Sequence, residues 1–249
     1  MPLLAHLREL RKRFLLALLG IAVAAVVGWI FYEPVFDAMQ QPVLELNEHG
    51  QEAALTFATP AAAFDMKIRV SLWLGVFGAC PWWLYQIWAF LNPGLTSAER
   101  RYAVAFVGVG IPLFLAGAGL AWLILPNAVR LLTEFTPEGA LNYMPATEYM
   151  RFFMRVILAF GIAFLVPLVM VLLNFLGVVR AKTLLAGWRW AVLAIFTFAA
   201  FASPTPDPWT MILLALPICG LYFLAVGIAA QHDRRADARA ARAARAAEA

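Results

Sequence analysis

Six stretches of nearly unbroken apolar residues run along the chain, at about 14–32, 66–91, 103–125, 151–176, 184–202 and 209–230, with polar segments between them. Each is near the ~20 residues that a helix needs to cross a hydrocarbon core of ~30 Å. They are continuous rather than alternating every second residue, which argues for helices over an outer-membrane barrel. The pattern therefore predicts an all-α polytopic membrane protein of six transmembrane helices. Residues 1–230 form one transmembrane domain in this scheme, and 231–249 a basic Ala-Arg tail expected to be disordered. Prolines 81, 112, 167 and 217 fall inside the spans and are expected to kink them and shape their packing.

The polar segments refine this picture. The start, His6 to Arg13, precedes an apolar run that ends in Phe31-Tyr32. That run exceeds the roughly 7–15 residues of a signal-peptide core and lacks a small-residue cleavage site, so an uncleaved first span is expected. Residues 33–65 read as a polar loop with six acids, prolines at 34, 42 and 60, and no Lys or Arg. Trp82 to Trp88 forms an aromatic end to the second span, at headgroup level. Pro93-Gly94 stops that span, and a Thr96/Ser97 cap with Glu99 in the first turn starts the next. Ser203 to Pro208 carries three prolines and an aspartate, a tight turn that makes spans five and six a membrane hairpin. Both spans are near the lower length limit, which favours local thinning of the bilayer.

Charge distribution sets the orientation. The chain is 63% hydrophobic and 14% charged with mean hydropathy +0.79, outside the range of soluble domains. Of its 19 Lys and Arg, 14 lie in the N-terminal segment, the 92–102 loop, the 177–189 turn and the C-terminal tail, while ten of the 15 acids lie in the alternate loops. The positive-inside rule then places both termini in the cytoplasm. Cys80 and Cys219 sit inside apolar runs and read as small buried hydrophobes. His6, His49 and His232 lie far apart without metal-ligand spacing, so no metal or cofactor is expected. No HExxH, Walker A, GxSxG or GxGxxG motif stands in a fitting context, and no aromatic-interleaved basic groove points to nucleic acid. A non-enzymatic protein is expected.

Two cytoplasmic carboxylates stand out: Glu9, among Arg8, Arg11, Lys12 and Arg13, and Glu99, beside Arg100 and Arg101. Both suit helix-end electrostatics, Glu9 pairing with Arg13 at i,i+4 and Glu99 opposing a helix dipole. Both also suit a second role, as acceptors for guanidinium groups, since Arg–carboxylate bonds are strong and directional. Arg151 and Arg155 share a helix face near the outer end of span four and are expected to snorkel.

Three separated motifs carry a resemblance. They are His6-Leu7-x-Glu9-Leu10-Arg11-x-Arg13, then Pro81-x-x-x-Tyr85-Gln86-x-Trp88-Ala89-Phe90-x-x-Pro93-Gly94-Leu95 with Glu99-Arg100-Arg101, then Pro204-x-x-Asp207-Pro208. In order and over nearly the whole chain, they resemble the TatC family, the C subunit of the twin-arginine protein translocase. The resemblance implies a receptor and scaffold for twin-arginine signal peptides of folded precursor proteins, powered by the proton-motive force. It also implies single-span TatA/TatB-type partner subunits and hetero- and homo-oligomers in the membrane. By motif position Glu9 and Glu99 would accept the arginine pair, and Arg11, Arg13, Phe90, Pro93 and Arg100 would shape the same surface. Pro42, Lys67 and Asp207 would serve assembly or transport. The chain departs from the family at Leu165 and Phe223, where an acidic or amide residue is typical, so partner contacts would shift to Gln86, Asn174 or Thr197. The rival expectation is a secondary transporter of a small solute, but no internal repeat or charged midplane supports it.

Overall fold

The computed structural model describes residues 3–48, 53–91, 99–133, 142–202 and 208–248. The first span is α1 (Leu3–Ile30), and the second is split into α3 (Pro60–Gly78) and α4 (Cys80–Leu91). Pro81 lacks an N–H and cannot continue the ladder, so the expected kink is a break at Ala79. Across the break the Trp83 indole N–H donates to the Val76 carbonyl at 2.8 Å, one more bond for backbone that lipid could not satisfy.

α1 packs against α3 through small side chains. Gly20, Ala24 and Gly28 recur every four residues on α1 and so share one stripe. A Cβ on Gly75 of α3 would stand 2.6 Å from the Ile21 carbonyl and 2.8 Å from the Ala25 nitrogen. Only glycine fits that approach, the usual basis of helix association in a bilayer. α5 (Glu99–Thr133) and α6 (Ala146–Phe175) meet as closely, with Gly117 of α5 against the Phe160 carbonyl of α6. α5 is longer at both ends than the 103–125 span predicted.

The segment 33–65, expected to be a loop, instead holds α2 (Tyr32–Glu48). Val35, Phe36, Met39 and Val43 share a helical face, and Met39 and Val43 are fully buried in the main core with Met66 and Met150. The acids Glu33, Asp37 and Glu45 remain exposed, so the segment is an amphipathic helix rather than a polar loop. β1 (Ala53–Thr56) and β2 (Asn142–Pro145) pair in parallel, Ala53 opposite Asn142, and tie the two acidic connections together. The Tyr149 hydroxyl donates to the Met39 carbonyl at 3.0 Å and closes this end of the bundle.

The fifth span is α7 (Ala181–Ala186) followed by α8 (Trp188–Ala202). α9 (Pro208–Glu248) packs along α8 and contains the sixth span. It also corrects the expectation of a disordered tail: the helix runs on through the Ala-Arg segment, two residue types with high helix propensity. Among the described residues, α1, α5, α6 and α9 are each long and apolar enough to cross a bilayer.

Candidate functional site: an ion-paired helix junction

One end of the bundle gathers the start of α1, the end of α4, the start of α5 and the end of α6. Trp88, Ala89, Phe106 and Leu172 form an apolar cluster that joins the last three. α1 is fastened to this cluster's edge by three contacts with α4. His6 stacks on Phe90 with ring centroids 4.5 Å apart. The Trp82 indole donates to the Leu16 carbonyl at 2.8 Å. Between them, Arg13 bridges the helices.

Arg13 Nε donates to Glu9 Oε1 at 2.7 Å, one helical turn back, and Arg13 Nη1 donates to Gln86 Oε1 at 3.3 Å. Gln86 is buried on α4, whereas Glu9 and Arg13 are half-buried, at 29% and 26% side-chain exposure. The guanidinium thus spans a buried amide and a partly exposed carboxylate, and it orients that carboxylate while keeping its charge compensated. Among the described residues only Oε1 of Glu9 is engaged, so the second oxygen remains available as an acceptor.

The other anticipated site residues divide clearly. Phe90 is placed against His6, and Arg11 is exposed on α1 near Glu9. Glu99 and Arg100 occupy the first turn of α5, where a carboxylate opposes the helix dipole, and their side chains lie outside the described set. Pro93, with the Pro-Gly stop and the Thr96/Ser97 cap, lies outside the described residues, as does Asp207. Pro42 and Lys67 belong to the opposite end. Pro42 is buried inside α2. Lys67 Nζ lies over the rings of Trp29 and Tyr32, 5.0 and 5.3 Å from their centroids, a cation–π anchor between α3 and the α1–α2 corner.

Two members of the junction, Gln86 and His6, stand in the resembled motifs with no site role assigned there. A lone amide in an apolar run needs an internal hydrogen-bond partner, and Gln86 finds it in Arg13. His6, three residues before Glu9, shares its helix face.

The positions that depart from the resembled motifs are also resolved. Leu165 is buried against Cys80, Leu84 and Phe114. Phe223 is 45% exposed, beside Tyr222 and Trp188. Asn174 donates to Val179 and Asp233, and the Thr197 hydroxyl donates back to Leu193, so each is engaged inside the chain. Arg151 and Arg155 are both exposed on α6.

Fold and site together define a polytopic α-helical membrane protein whose polar groups gather at helix ends. A model of the family "Sec-independent protein translocase protein (TatC)" matches residues 5–217. A TatC protein of Xylanimonas cellulosilytica is 52% identical over 245 residues, covering 98% of this chain and 89% of that protein. A TatC protein of Rothia mucilaginosa is 35% identical over 97% of this chain and 83% of its own length. A crystal structure of the twin-arginine translocase receptor TatC in DDM superposes with a TM-score of 0.77 at 30% identity, covering 90% of this chain and 99% of that one. The chain belongs to the TatC family. The small-solute transporter reading finds no support in these relatives.

Proposed function

We propose that this protein is the signal-peptide receptor and scaffold of twin-arginine translocation, reading an arginine pair with Glu9 and Glu99. The observation that carries this is the guanidinium already seated on Glu9: Arg13 Nε at 2.7 Å, steadied by Gln86. A site that holds one guanidinium on a half-exposed carboxylate has the charge and geometry to accept another on its second oxygen. Arg13 keeps Glu9 aimed, and a signal-peptide arginine either shares the carboxylate or displaces Arg13 from it. Glu99, at the start of α5, supplies the second acceptor, with Phe90, Pro93, Arg11 and Arg100 around it.

The basic residues at the ends of the spans favour a cytoplasmic position for this surface and for both termini, in the bacterial inner membrane. The protein is then a non-enzymatic docking platform. It recruits single-span TatA/TatB-type subunits for passage of the folded precursor, with the proton-motive force as the energy source. Leu165 is packed into the interior, so partner helices engage another face.

Binding of a fluorescent twin-arginine peptide to the protein in nanodiscs tests the site. Glu9→Gln and Glu99→Gln should each weaken binding by roughly 10- to 100-fold, the loss of a hydrogen bond to a charged group worth about 1.5–3 kcal/mol. A twin-lysine peptide should bind more weakly than twin-arginine, because it lacks the planar fork. Equal binding by both variants and wild type, with circular dichroism unchanged, would remove Glu9 and Glu99 from the site.

A further inference from the structure

A second feature at the same end gathers charged residues that the signal-peptide surface does not use. A polar cavity of about 420 Å³ opens between the 174–182 turn and α9. Arg180, Lys182 and Arg234 line it, with His232 and two carboxylates, Asp233 and Asp237. Asp233 is already engaged: it accepts from the Ala181 N–H at 2.8 Å and from Asn174 Nδ2 at 2.9 Å. These bonds come from neutral donors, so they pin the turn to α9 without removing the charge of Asp233, and three cations face two carboxylates. His232 Nδ1 and Asn174 Oδ1 are buried in the same wall without a hydrogen-bond partner among the described residues.

Toward the middle of the bundle, a second cavity of about 270 Å³ adjoins the first, and Phe175 belongs to both walls. It lies between α5, α6 and α9 and is lined by apolar side chains such as Phe106, Leu113, Val171, Leu224 and Ile228. A cationic space that shares a wall with an apolar groove matches the two halves of an amphiphile: an anionic phosphate and a hydrocarbon chain. Basic pockets between transmembrane helices at the anionic leaflet are suited to such headgroups.

We propose that this two-part site binds one anionic glycerophospholipid of the surrounding bilayer. Its phosphate lies among Arg180, Lys182 and Arg234, and one acyl chain fills the groove between α5, α6 and α9. The site holds the 174–182 turn and α9 in a common frame with a lipid as the third member.

Native mass spectrometry of the full-length protein, released from bilayers of mixed phosphatidylglycerol and phosphatidylcholine, tests this. Wild type should retain phosphatidylglycerol in preference to phosphatidylcholine. The triple variant R180Q/K182Q/R234Q should lower that preference roughly tenfold, since each basic residue near an anionic headgroup contributes favourably. Should the triple variant fail to fold, the three single variants replace it, each losing roughly two- to fivefold. Ala225→Trp, which fills the apolar groove, should reduce lipid retention with the basic residues intact. R151Q/R155Q, on α6 near the opposite end, should change nothing. Equal retention of both lipids by wild type overturns the proposal, as does retention by the basic-residue variants that matches wild type. Displacement of the lipid by equimolar soluble glycerol 3-phosphate also overturns it, because a headgroup alone would then suffice.

Discussion

Two carboxylate–guanidinium pairs of identical spacing sit at opposite ends of the bundle: Glu9–Arg13 on α1, at 2.7 Å, and Asp65–Arg69 on α3, at 2.6 Å. By sequence they are interchangeable i,i+4 helix pairs. The structure separates them by what else the arginine touches. Among the described residues Arg69 bonds only its own helix, and both side chains are nearly half exposed, at 46% and 47%. Arg13 reaches across to buried Gln86 on α4, in a setting with little more than half that exposure. The Asp65–Arg69 pair decorates a helix surface. The Glu9–Arg13 pair couples two helices and presents a carboxylate held in a fixed direction. Identical local chemistry thus has different consequences, and the deciding feature is a third partner from another helix.

The comparison is taken to its extreme by a carboxylate with no guanidinium at all. Leu165→Glu would place one among Cys80, Leu84 and Phe114. An unpaired buried charge costs roughly 3–5 kcal/mol, so the thermal midpoint in detergent should fall sharply. An unchanged midpoint, measured at fixed scan rate, would mean that the carboxylate escapes the cluster, as a partner-facing residue would.

The difference between these sites explains what was legible beforehand. Apolar runs report burial in lipid directly, so the six segments stood out from composition. α2 did not, because its apolar positions are too few to form a run and declare themselves only by their 3.6-residue spacing, visible in Val35, Phe36, Met39 and Val43. The helical tail was masked by its charge, which lowers hydropathy without lowering helix propensity. At the site, Glu9 and Arg13 could be paired from spacing alone. Gln86, 73 residues away, could not, since nothing local fixes which helix meets which. The same limit applies to Leu165, whose inward direction depends on the packing of α6 against α4 and α5.

Removing the third partner should convert the first pair toward the second. In Gln86→Leu, Arg13 loses its bond to α4 and Glu9 loses a fixed companion. The bond is long and partly exposed, so a stability loss of about 1 kcal/mol is expected. A double-mutant cycle with Arg13→Gln should give a coupling of similar size, measured by denaturation at fixed scan rate. Peptide affinity should fall severalfold, less than in Glu9→Gln, because the acceptor survives and only its aim is lost. Zero coupling would reduce Gln86 to a passive neighbour and return Glu9–Arg13 to the status of its counterpart.

The smallest effect is expected where the pair has no third partner. Asp65→Asn removes the ion pair with Arg69 but keeps the side chain's volume and its ability to accept a hydrogen bond. Exposed pairs gain little, because water solvates both groups almost as well and ordering two side chains costs entropy. The thermal midpoint should move by less than about 1 °C, and twin-arginine peptide binding should match wild type. The same substitution chemistry at Glu9 should abolish most of the binding. A stability loss at Asp65 equal to that at Glu9 would mean that α3 depends on its surface pair, for which the sole structural cause would be the nearby Lys67. That lysine sits two residues along, against Trp29 and Tyr32, so Lys67→Met combined with Asp65→Asn distinguishes the cases. Additive changes keep Asp65–Arg69 a surface feature, and a coupled loss would make this end a second organised junction.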